Sequence, residues 1–180
     1  MESLRGNLLI AGASLWDPNF RRSIVLIGHH DEDGAVGVVL NRAAAVTVAE
    51  AVPPLAPLVP DDEPLFIGGP VEPQAAVVVA DFEDPDRAEI LALGSIGFLP
   101  PDSGAEGPDG IRRARVFAGY SGWGAGQLEE ELAEDAWIVE PAVPDDVFIA
   151  DPDRLWGQVL RRKGRAYDLL RMMPTDPRAN

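Results

Sequence analysis

The strongest constraint on the fold is the run SIVLIGHHDEDGAVGVVLN, residues 23–41. Two stretches rich in Ile, Val and Leu, 23–30 and 35–41, read as strands. Between them lies DEDG (31–34), whose Asp33-Gly34 pair is a strong short-range hairpin signal, so the two strands pair antiparallel near the N-terminus. The acidic cluster does not read as a calcium loop, because Ala35 stands where an EF-hand needs Asp or Asn. On a strand, His29 and His30 point to opposite faces.

Further strands are expected at NLLIA (7–11), PLFIGG (64–69), AAVVVADF (75–82), ARVFAGY (114–120), AWIVE (136–140) and DVFIA (146–150). VTVAEAV (46–52) reads as a short helix, after which prolines 53, 54, 57 and 60 impose an extended segment. GQLEEELAED (126–135) reads as a helix, while EILALGSIGFL (89–99) has an ambiguous period. PPDSGAEGPDG (100–110) is a loop by its turn residues. Asp151-Pro152 sets an N-cap followed by Pro at the first helical position, and Leu155, Trp156, Val159 and Leu160 form one buried stripe. Gly164 ends that helix, or RAYDLLRMM continues it. The tail from about 174 is expected to fray. There is no internal repeat, so residues 1–180 read as one α/β domain: a mixed sheet, an early antiparallel hairpin and helices packed on it.

Composition narrows function. A 46% hydrophobic fraction with 7% aromatics is that of an ordinary globular chain. No apolar run approaches the ~20 residues that span a bilayer, so no membrane role is expected. The start lacks the basic and long apolar regions of a signal peptide. No cysteine is present, which removes thiolate metal sites and disulfides. The cytoplasm is the expected compartment. The net charge of −15, from 30 acidic against 15 basic residues, disfavours nucleic acid, whose binding rests on neutralising phosphates. The basic run at 154–171 reads as the solvated outer face of a C-terminal helix, suited to its dipole.

VFAGYSGWGAGQLEEEL (116–132) has the layout strand, glycine-rich turn, helix. As a dinucleotide loop it fails, because Gln127 falls where the third glycine is required. As a nucleophile elbow it fails at position 123, where Trp replaces Gly, and a triad could draw only on His29 or His30. A metal site lacks supporting ligands. What remains is architectural: glycines that turn the chain, Tyr120 and Trp123 burying large rings, and Leu128 and Leu132 facing inward. No catalytic residue, metal ligand or cofactor is assigned.

Taken together, NLLIAGASLWDPNFRRSIVLIGHHDEDGAVGVVLNR, IGGPV and AGYSGWGAGQLEEELAEDAWIV resemble the YqgE/AlgH family of small bacterial proteins, over most of residues 7–140. The departures are Ala13 and Ala43, where proline is usual, and the missing histidine after GGPVEP, which weighs against a histidine-dependent site near residue 79. The resemblance implies an α/β fold, cytoplasmic members and no established biochemical function. One branch carries a transcriptional-regulator label, yet no helix-turn-helix is visible here. The motif residues Asp17, Asn19, Arg22, Ser23, His30, Asn41, Gly68, Gly69, Tyr120, Ser121, Trp123 and Gln127 are the candidate ligand or partner surface. Asp17 is expected to pair with Arg22, and the DPNF, GGP and GYSGW turns to gather at one end of the sheet. A binding or regulatory module, acting on a protein partner or small ligand, is the leading expectation. The alternative is a hydrolase-like enzyme using Ser121, His30 and Arg22.

Overall fold

The structure is a computed structural model describing residues 2–100 and 107–173. Most of the expected 100–110 loop and the expected frayed tail lie outside the described residues. Among the described residues ten strands form one sheet: β1 (Asn7–Ala11), β2 (Ile24–Asp31), β3 (Gly34–Val39), β4 (Ala43–Thr47), β5 (Pro64–Ile67), β6 (Val71–Phe82), β7 (Ile90–Leu93), β8 (Ile96–Phe98), β9 (Ile111–Gly124) and β10 (Trp137–Pro141). The main order is β10-β1-β2-β3-β9-β6-β8-β7, with β4 on β5 and β5 alongside β9. The β5–β9 ladder is parallel and the others are antiparallel, so the sheet is mixed. The expected hairpin is present: Asp31 faces Gly34, and Asp31 Oδ1 accepts the Asp33 N–H at 2.9 Å.

β1, β2 and β3 are continuous apolar runs because both their faces are covered. Leu8, Ile10, Leu26, Val38 and Leu40 face a central core, where they meet Phe66, Val79, Ile96 and Phe117 from the other half of the sheet. The sheet therefore curls so that its halves share one interior. The Phe98 ring fills the space a side chain at Gly28 would need, 2.2 Å from the ideal Cβ position. Helix α4 (Leu155–Lys163) closes this core with Leu155, Trp156, Val159 and Leu160. The opposite faces of Leu9, Val25, Ile27 and Val39 pack under α2 (Gln127–Ala133) with Trp123, Leu128 and Trp137. The short α1 (Val48–Ala51), closed by a Thr47–Glu50 capping box, covers the far half through Val48.

Several local expectations change. GYSGW is strand, not turn: β9 runs unbroken to Gly124 and the turn into α2 falls at Ala125-Gly126. The glycines are used where β9 leaves β6 for β3. Gly119 has φ 69°, and a Cβ there would lie 2.6 Å from the Gly69 carbonyl oxygen. DVFIA is not a strand. Pro144–Val147 is a helical turn, α3, because Asp146 accepts the Val143 N–H at 2.8 Å. The carbonyls of Val147 and Ile149 then go to Arg115, at 3.2 and 2.7 Å. The ambiguous 89–99 segment is the β7–β8 hairpin. Asp151 does not cap with its side chain but pairs with Arg154 at 3.1 Å, and Gly164 does end α4, with a separate α5 (Asp168–Met172) beyond it.

Candidate functional site

DPNFRRS, between β1 and β2, is a loop tied at nearly every residue. Asp17 Oδ1 accepts the Asn19 N–H at 2.8 Å, and the Asp17 carbonyl accepts Phe20 and Arg21 N–H at 3.0 and 2.8 Å. Ser23 Oγ donates to the Phe20 carbonyl at 2.5 Å. Asn41, just past β3, works in both directions: its Oδ1 accepts the Ile24 N–H and its Nδ2 donates to the Arg22 carbonyl, each at 2.9 Å. Arg42 donates to the carbonyls of Pro18 and Arg21 at 2.6 and 2.9 Å. On the other side the Phe20 ring packs edge-on against Trp137 at 5.6 Å. The loop backbone is therefore held by its own residues and by Asn41 and Arg42, and Arg21 stands exposed at its C-terminal end.

The expected Asp17–Arg22 pair does not form. Asp17 turns back to cap its own loop, while Arg22 lies over the Trp156 ring at 4.7 Å and donates to the Met173 carbonyl. Burial, then the adjacent Arg21 charge, lowers the Arg22 pKa below its ordinary value. Arg42 is lowered by the same two causes in the same order, partly offset by Asp17. Between this loop and the C-terminal helices opens a groove with lobes of about 430 and 350 Å³, which share Arg22, Asp153 and Trp156. Arg21, Asn41 and Arg42 line one lobe, and Arg154, Arg161 and Arg171 line the other.

The other candidate residues lie elsewhere. Ser121 is fully buried, and its Oγ donates to the Gly68 carbonyl at 3.0 Å, clamping β9 to the GGP segment. Gly69 sits against the Tyr120 carbonyl in the same crossing. His29 and His30 do face opposite ways, with side chains 48% and 2% exposed. His30 Nδ1 accepts the Leu4 N–H at 3.0 Å, so in the neutral ring the proton is on Nε2, which reaches Glu129 at 2.8 Å. Trp123 and Trp137 both donate to Glu131 Oε2, at 2.8 and 2.7 Å, and Gln127 donates to its Oε1 at 3.1 Å. Ala35 faces Trp123 across the ladder near the start of β3, whereas Asn41 lies in the bend past its other end, beyond Val39. The motifs thus serve three places: Asp17, Asn19, Arg22, Ser23 and Asn41 at the groove, Gly68, Gly69, Tyr120 and Ser121 at the crossing, and His30, Trp123 and Gln127 under α2.

Sequence reasoning did not single out Arg21, Arg42, Trp156 or Arg161 for this site. The available signal was arginine clustering, RR at 21–22 and Arg42, in a chain of net charge −15. Among the described residues no group of three or more His, Asp or Glu side chains is placed to hold a metal ion.

The fold and this geometry define a class: a curled mixed-sheet α/β protein with a braced loop beside an arginine-lined groove. The chain belongs to the AlgH-like family, whose DUF179 model it matches over residues 8–168. It is 40% identical over 190 residues to a UPF0301 protein of Streptomyces avermitilis, covering 100% of this chain and 97% of that one. It is 41% identical to a UPF0301 protein of Mycobacterium avium, covering 95% of this chain and 88% of the relative. Its fold is similar to the crystal structure of protein DIP2367 from Corynebacterium diphtheriae, with TM-score 0.84, 30% identity and coverage of 96% and 94%. It is also similar to the solution structure of the AlgH protein from Pseudomonas aeruginosa, with TM-score 0.71, 30% identity and coverage of 96% and 95%.

Proposed function

We propose that this chain is a one-domain, non-catalytic binding or regulatory module of the cytoplasm, and that its ligand or partner surface is the groove between the 17–23 loop and helices α4 and α5. One observation carries the non-catalytic part. The serine and histidine a hydrolase would use are each committed elsewhere: Ser121 to the Gly68 carbonyl inside the core, His30 to Leu4 and Glu129. A nucleophile and its base need to reach one another, and these do not. The braced loop supports the choice of surface, since a rigid frame holding polar groups in a concavity lowers the cost of ordering on binding.

Direct reading of nucleic acid is not part of the proposal. Arg162 and Lys163, on the neighbouring face of α4, are held by Asp146 and Glu140 at 2.8 and 3.3 Å, so the basic surface does not extend along the helix. No helix of the described residues is long and apolar enough to cross a membrane. Native mass spectrometry of protein purified from its own host is the test. The expected result is a retained mass that the double variant Arg21→Ala/Arg161→Ala fails to carry. Substrate turnover abolished by Ser121→Ala in a properly folded protein would overturn the reading in favour of an enzyme.

A further inference from the structure

The groove carries the opposite charge to its chain. The protein as a whole has 30 acidic residues against 15 basic ones. Around the groove stand Arg22, Arg154, Arg161 and Arg171, then Arg21 and Arg42, and among the described residues lining it Asp153 is the one acid. Two of these arginines are neutralised locally, Arg154 by Asp151 at 3.1 Å and Arg171 by Asp168 at 3.2 Å. The other four make no ion pair among the described residues, although Asp17 acts on Arg42 from a distance. Arg22 and Arg42 spend their N–H groups on carbonyl oxygens, which carry no net charge. Arg21 and Arg161 have no carboxylate within ion-pair distance among the described residues.

Backbone geometry agrees. Arg22 has φ 55°, a left-handed conformation that a long side chain adopts only when its surroundings impose it. Here Asn41 imposes it by holding the Arg22 carbonyl. The result is a guanidinium held over the Trp156 ring with the Arg21 charge acting on it, a repulsion that an anion relieves.

We infer that this groove binds a small phosphorylated ligand; the inference rests on the reading of the groove as a binding surface. Guanidinium forks match phosphate oxygens in pairs, and a phosphate answers several converging arginines where a carboxylate supplies only one charge. Lobes of about 430 and 350 Å³ suit a small molecule. The slot beside them, where Arg21 and Arg22 meet Leu15, Trp16 and Leu170, holds only about 30 Å³, too little for a phosphorylated ligand, so the wider lobes receive it.

The test is a titration of the full-length protein with inorganic pyrophosphate, following the indole N–H resonance of Trp156 by NMR. A saturable shift is expected, weakened about tenfold by Arg21→Ala and again by Arg161→Ala. Both side chains are exposed and hold no carboxylate, so the variants should melt as the parent does. Absence of a saturable shift, or equal affinity in the double variant, overturns the inference. A glutamate-rich peptide or a single-stranded oligonucleotide binding the same resonances more tightly than pyrophosphate also overturns it, yet leaves the groove a binding surface. If all three probes are silent and the native mass spectra show no arginine-dependent mass, the underlying reading fails as well.

Discussion

Glu131 shows how much of the motif's meaning sits in one carboxylate. It collects two indole N–H groups and one side-chain amide, at 2.8, 2.7 and 3.1 Å. Both donor rings belong to the packed trio with Phe20. Glu131→Ala leaves the indoles without an acceptor, at ~1–3 kcal/mol for each donor left unpaired, so a loss of roughly 2 kcal/mol or more is expected. Urea denaturation followed by tryptophan fluorescence reads it, and Glu131→Gln, which keeps an oxygen acceptor, should lose less. An unchanged midpoint for the alanine variant would mean that the indoles find other acceptors. At Gly119 a methyl group meets the Gly69 and Val71 carbonyl oxygens at 2.6 and 2.8 Å, from a backbone with φ 69°. Gly119→Ala should therefore cost ~2 kcal/mol or more, seen as a lower thermal midpoint.

Among the elements, α2 depends on its neighbours. It has seven residues, and its N-cap, Gly126, makes no side-chain capping bond. So short a helix is marginal alone and is held here by Leu128, by Glu131 and by the Glu129–His30 contact. The Glu129 carboxyl is lowered below its ordinary value by its own backbone N–H first and by the His30 ring next. A lowered carboxyl contributes stability that is complete above its unfolded pKa and disappears as pH falls through the folded one. The thermal midpoints of the parent and of Glu129→Gln should therefore differ at pH 7 and converge in acid, where the parent carboxyl is also protonated. A gap that persists unchanged into acid would argue against this linkage. The braced loop has its own test. Asn41→Ala removes the acceptor of the Ile24 N–H, so that amide should lose hydrogen-exchange protection while Leu26, deeper in β2, keeps its own.

For the whole molecule, β9 is the strand that joins the parts. Its stretch from Ile111 to Tyr120 runs along β6, with breaks in register, and its last four residues pair with β3. β1 waits for β10, more than a hundred residues later, to cover its open edge. A chain ending at residue 110 keeps the early hairpin yet lacks both joining strands. It should give a far-ultraviolet spectrum dominated by coil, and a folded, dispersed amide spectrum from it would contradict this account. With pairing this remote, the intact chain should refold on the millisecond-to-second scale of non-local β topologies.

Read residue by residue, the chain announces whatever local chemistry decides: the hairpin at 31–34, the strands at 7–11 and 75–82, the α4 stripe, and the family motifs. These follow from turn residues and from the two-residue and 3.6-residue periods, which act over a few neighbours. Tertiary structure decided the rest. Glycines at 119, 122 and 124 look like a turn, yet β3 pairs with Gly122 and Gly124, and β6 pairs with Ala118 and Tyr120 on either side of Gly119, so the strand continues through them. DVFIA has strand composition, yet Arg115 draws two of its carbonyls aside. The groove is the clearest case, because Arg21, Arg42 and Arg161 come from segments distant in sequence. Each is unremarkable in its own segment, and only the curl of the sheet brings their charges into one concavity.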